Sequence, residues 1–132
     1  MKYSYKIVRN GRSCSARGKY SISYEVGRTI FPVEGTLGIF CFRTLHQAKD
    51  FLAMQRYSKE LSILRVKPLG HGKCKEKICY SSYEPCEYDI FYRGCTNNTT
   101  NPPDGTVIYP AVKVISQVLL WWMMIDIQLQ IS

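Results

Sequence analysis

From Thr44 to Gln55 the chain carries helical periodicity, and on either side its apolar residues come in short runs cut by glycine and proline. Thr44-Leu45-His46-Gln47 has the S/T-x-x-E/Q spacing with which a hydroxyl and an amide side chain satisfy the free N–H groups opening a helix. Leu45, Ala48, Leu52 and Gln55 then follow on one face, flanked by Phe51 and Met54. A helix is expected over about 44–56, with His46 solvated in its first turn. The flanking runs suit strands: Tyr3–Val8, closed by the turn pair Asn10-Gly11; Tyr20–Val26, closed by Gly27; Leu37–Phe42; Leu61–Val66, ended by Pro68 and Gly70; and Thr106–Ile115, interrupted by Pro110. The expected fold is α+β: a small mixed or antiparallel sheet with one main helix, in a single domain over 1–132. Residues 70–103 lose all periodicity and form a long irregular segment.

The tail constrains the fold a second time. Val118 to Ile125 is an unbroken apolar run, far short of the roughly twenty residues a bilayer span needs. Ile125, Ile127, Leu129 and Ile131 then alternate with polar residues, the period of a half-buried strand. A hydrophobic C-terminal strand at about 118–132 is expected. It could complete the chain's own sheet, pair with a second copy to make a homodimer, or adhere to a membrane surface.

Charge is unevenly distributed. The 132 residues carry 18 Lys+Arg against 10 Asp+Glu, a formal charge of +8, and residues 1–75 hold 15 of the basic side chains but only 4 of the acidic ones. Such a field attracts polyanions, whether nucleic acid or an acidic protein face. Lys2, Tyr3, Tyr5, Lys6 and Arg9, then Arg12, Arg17, Lys19 and Tyr20, mix phosphate-neutralising charge with stacking rings, the composition of sequence-tolerant single-strand binding. Arg9, Arg12, Arg17, Lys19, Phe40, Lys73 and Lys75 are the candidate binding residues.

Catalytic and metal signatures are sparse. There is no G-x-S-x-G, no H-E-x-x-H and no phosphate-cradling loop ahead of Lys-Ser/Thr, and His46 and His71 are the only histidines. Glu84, Glu87 and Asp89 are the only cluster from which paired glycosidase carboxylates could be drawn. Cys74, Cys79, Cys86 and Cys95 are spaced without the tight C-x2-4-C knuckle of structural zinc sites, although His71 precedes Cys74 by three. No catalytic residue, metal or cofactor is assigned. The opening MKYSYKIVRNGR lacks the apolar stretch of an export signal, so reduced cysteines and a cytoplasmic setting are expected, and the N-x-T sequons at Asn97 and Asn98 read as loop composition.

Tyr24-Glu25-Val26-Gly27, Gly38-Ile39-Phe40-Cys41-Phe42, Ala48 with Phe51, and Ile63-Leu64-Arg65-Val66 with Leu69-Gly70 together resemble small uncharacterised domains of phages and large viruses. The Pro103-Asp104-Gly105-Thr106 turn and Val112-Lys113-Val114-Ile115 are similar to the closing strand of those domains. More distantly, the order of the Gly38 strand, the Ala48 helix and the Leu64–Gly70 strand is similar to the middle of the ADP-ribosyltransferase fold. That resemblance implies NAD binding with Arg9 as early anchor. Phe40 stands where the family has a stacking Tyr, and Gly105 or Thr106 where it has the catalytic Glu, so the likeness implies shape more than activity. The expected function is that of a non-enzymatic viral or phage accessory protein, acting in the host cytoplasm and binding a host macromolecule through its basic surface. The alternatives are a divergent NAD-binding ADP-ribosyltransferase-like protein and a nucleic-acid-binding module.

Overall fold

The computed structural model describes residues 2–13, 21–34, 36–56, 58–74, 78–79 and 99–120. Its strands are β1 (Ser4–Arg9), β2 (Arg12–Ser13), β3 (Thr29–Ile30), β4 (Ile39–Phe42), β5 (Leu61–Leu69), β6 (Ile78–Cys79), β7 (Thr99–Thr100), β8 (Thr106–Tyr109) and β9 (Ala111–Val118), with helix α1 at Leu45–Ala53 and a 3-10 turn at Ser58–Glu60. Seven strands form one antiparallel sheet in the order β3-β9-β5-β1-β4-β8, with β2 on β1, while β6 and β7 pair separately. The fold is thus α+β and dominated by strands. Among the described residues no helix is long and apolar enough to cross a membrane.

Connectivity forces the sheet to curl. β8 and β9 are one extended stretch broken only at Pro110, yet four strand spacings separate them in the sheet order. Laid flat, that is about 19 Å, whereas Tyr109 and Ala111 are at most roughly 7 Å apart along the chain. The strands must therefore wrap, giving a concave face and a convex one.

Each face buries its own apolar cluster. Val8, Ile39, Cys41, Leu64, Val66, Val107, Val112 and Val114 pack with Tyr24 and Ile30 on the concave side. Ile7, Phe42, Leu61, Ile63 and Val118 meet Ala48 and Leu52 of α1 on the convex side, with Leu120. Period-two alternation explains the division within β1, β4 and β5. In β9 a bulge intervenes: Val66 pairs with Val114 but Arg65 with Ser116, leaving Ile115 unpaired. The extra residue switches the parity of the strand, so Val112 and Val114 face the concave core while Val118 reaches the helix side.

The expected punctuation is recovered in part. Asn10 and Gly11 both have positive φ, 52° and 77°, and close the two-residue turn that sets Arg9 opposite Arg12. Thr44 caps α1, its hydroxyl accepting from the Gln47 N–H at 3.1 Å. The helix stops at Ala53, short of the expected 56, with Met54 as its C-cap and 82% exposed. Instead the Met54 and Gln55 N–H groups bond the carbonyls of Phe51 and Leu52, tightening the last turn.

β5 runs past Pro68 to Leu69 rather than ending before it. The β1 partner begins only at Ser4, opposite Val66, so beyond that point β5 is flanked by β9 alone and a proline is tolerated. In the 20–26 stretch the described residues make only an isolated bridge, Ser23 with Arg12. β9 ends at Val118, and residues 121–132 of the expected C-terminal strand lie outside the described residues, as does most of the 70–103 segment.

Candidate polyanion-binding face

The strands of the main sheet contain Lys6, Arg9, Arg12, Arg65, Lys67 and Lys113, and not one aspartate or glutamate. The described carboxylates sit in loops, in α1 or in the 3-10 turn. What each cation does depends on its face and partner.

Two are engaged on the convex side near the β1–β2 turn. The Arg9 guanidinium pairs with the Glu60 carboxylate, its Nε donating at 2.7 Å. Arg12 donates to the hydroxyl and carbonyl of Ser21 at 3.1 and 3.2 Å. Lys6 points to the concave side. Its ammonium donates to the Phe40 carbonyl at 2.8 Å and stands 5.5 Å from the centre of the buried Tyr24 ring. β1 and β4 share only the Tyr5–Phe42 pair, so the Phe40 carbonyl would otherwise go unpaired along this seam. Beside it the Cys41 thiol is fully enclosed. Burial pushes its pKa up to about 12, partly offset by the nearby Lys6 charge. A thiol held protonated in this way is a packing group and not a nucleophile.

The remaining three cations form an array. Register places Lys67 on β5 directly opposite Lys113 on β9, and Lys113 in turn opposite Thr29 on β3. Both lysines alternate with buried valines, Val66 on one strand and Val112 and Val114 on the other, so both project from the convex face. Two residues back along β5, Arg65 shares that face, with its guanidinium 5.7 Å from the centre of the Tyr3 ring. Tyr3 immediately precedes β1, whose pairing with β5 ends at Ser4 opposite Val66. The result is a row running Lys67, Lys113, Thr29 across β5, β9 and β3, with Arg65 behind it and the Tyr3 ring against Arg65. Helix α1 covers the other end of the convex face, over Ile7, Ile63 and Val118, while at this end Lys113 and Thr29 are exposed and Tyr3, Arg65 and Lys67 half-buried.

Lys67 and Lys113 have no carboxylate within ion-pair distance among the described residues. Directly opposed like charges destabilise an antiparallel pair. A bound anion would remove the repulsion.

Of the residues singled out from the sequence, Arg9 and Arg12 lie opposite each other on the β1–β2 hairpin, away from the row. Phe40 is half-buried on β4 and contributes its carbonyl to Lys6. Lys73 is exposed and bridges β8 through its backbone, with reciprocal 2.8 Å bonds to Ile108. Arg17, Lys19 and Lys75 lie outside the described residues, as do Cys86 and Cys95. Cys74 is exposed and accepts from the Arg43 guanidinium at 2.9 Å, and no metal-binding group of His, Cys, Asp or Glu occurs among the described residues. Sequence reasoning missed Arg65, Lys67 and Lys113 as a group. Each is one outward residue on an otherwise apolar strand, and only the pairing of β5 with β9 brings them together.

Comparison with protein-family models, with curated proteins and with solved structures finds no match to this chain.

Proposed function

We propose that this chain is a non-enzymatic binding protein, of the accessory kind a phage or large virus directs at a host macromolecule, and that it captures a polyanionic partner on the open end of its convex sheet face. The observation that carries this reading is the Lys67–Lys113 pair, which has no carboxylate within ion-pair distance among the described residues and lies in a sheet whose strands contain none. A lysine carries its charge on a long flexible stem, so the pair can present positive charge from a rigid sheet. Arg65 adds a planar donor fork suited to phosphate or carboxylate oxygens.

Retention on an immobilised sulfated polyanion tests the proposal. The double variant Lys67→Ser/Lys113→Ser should elute at clearly lower salt than Lys49→Ser/Lys59→Ser, a control of equal net charge altered on α1 and the 3-10 turn. Equal elution of the two would sink the assignment of this face. Circular dichroism of both variants confirms that the comparison is between folded proteins.

A further inference from the structure

We infer that the polyanion is a single-stranded nucleic acid, with phosphates held by Lys67 and Lys113 and a base stacked on the Tyr3–Arg65 platform; this rests on the polyanion reading above. Three relationships carry it. First, Lys67 and Lys113 sit on neighbouring strands, about 5 Å apart at the backbone, and the Tyr3 ring lies against Arg65, two residues along β5 from Lys67, so phosphate and base contacts can be made together by adjoining parts of one nucleotide chain. Second, Tyr5 packs against the α1 cluster, whereas the half-buried Tyr3 ring lies against the Arg65 guanidinium. A ring with a cation on one side keeps a π-face for a base, and every base has such a face. Third, the surface is a sheet face from which, among the described residues, no helix projects. Reading a duplex calls for an element that enters a groove, whereas an unpaired strand can be laid across a sheet. An acidic protein face would satisfy the charge but would leave the ring without a stacking partner, and the centre of the patch is charged rather than apolar, unlike a protein–protein interface.

The test is fluorescence anisotropy with four probes at one ionic strength: a labelled twelve-nucleotide mixed-sequence single strand, the same sequence as a blunt duplex, and the single strand in competition with inorganic polyphosphate or with polyglutamate. The expected result is tighter binding of the single strand than of the duplex, with polyglutamate a poor competitor. Tyr3→Leu should weaken single-strand binding about 5- to 100-fold without altering elution from the sulfated column. Equal affinity for single strand and duplex, efficient competition by polyphosphate, or no effect of Tyr3→Leu would overturn the single-strand assignment while leaving polyanion capture standing. Efficient competition by polyglutamate would replace nucleic acid with an acidic protein. Absence of binding to every probe, together with column elution that ignores Lys67 and Lys113, would overturn both readings.

Discussion

Lys67 on β5 and Lys113 on β9 face each other directly in the antiparallel register, two like charges on adjacent strands. Such a pair costs roughly 0.2–1 kcal/mol relative to a neutral one. Lys113→Thr should therefore raise the midpoint of urea unfolding slightly while weakening polyanion binding. Opposite signs in the two measurements mark a residue kept for binding. A variant that loses stability and binds unchanged would remove Lys113 from the surface.

The Cys41 thiol supplies a pH prediction. Its pKa rises from 9.0 to about 12 on folding, so the native state holds the proton that the unfolded chain releases above pH 9. An acid whose folded pKa is raised leaves stability intact below its unfolded pKa and removes it above. Unfolding free energy should accordingly fall by roughly 1.4 kcal/mol per pH unit between pH 9 and 12, on top of any other titration. Cys41→Val, neutral at every pH, should flatten that slope. The same slope in both proteins would show that the thiol is not enclosed.

Gly38 and Gly27 should respond differently to alanine. Gly38 has φ +136°, and a Cβ there would lie 2.6 Å from the Tyr109 carbonyl oxygen, backbone that cannot move aside without breaking the β4–β8 pairing. Gly27 has φ +89° but open space around it. Gly38→Ala should cost at least about 2 kcal/mol and Gly27→Ala about 1, the latter from backbone conformation alone. Comparable losses by chemical denaturation would contradict the close packing of β4 on β8.

Thr44 opens α1, and its hydroxyl both accepts from the Gln47 N–H and donates to the Gln47 side-chain oxygen at 3.0 Å. Thr44→Ala should destabilise by about 1 kcal/mol, and Thr44→Ser by little, since serine preserves the cap. An alanine variant as stable as the parent would mean the cap contributes nothing.

Local signals in the sequence were sufficient for the elements and insufficient for their assembly. The Thr44 cap, the Asn10-Gly11 turn, the aromatic and β-branched content of β1 and the alternation in β5 each depend on residues a few positions apart, and each marks the element found. The curled sheet does not follow from such patterns. It requires β8 and β9, neighbours in sequence, to pair with β4 and β5 in separate parts of the sheet, with Pro110 as the corner. The bulge at Ile115 is likewise invisible to a period-two reading. For the same reason the basic residues nearest in sequence, Arg9 and Arg12, drew attention, whereas Lys67 and Lys113 are 46 positions apart and meet only through register. Alternation could have flagged each lysine as outward-facing, but it could not have paired them.

The salt dependence of binding bears most directly on the central claim, since each phosphate neutralised releases counterions and steepens the fall of log K with log salt by about 0.7 for a single strand. Removing Lys67 and Lys113 together should flatten that slope by about 1.4, whereas removing Arg12, already bonded to Ser21, should leave it nearly unchanged. A slope that ignores the lysine pair, or that falls mainly on loss of Arg12, would contradict binding through the convex face.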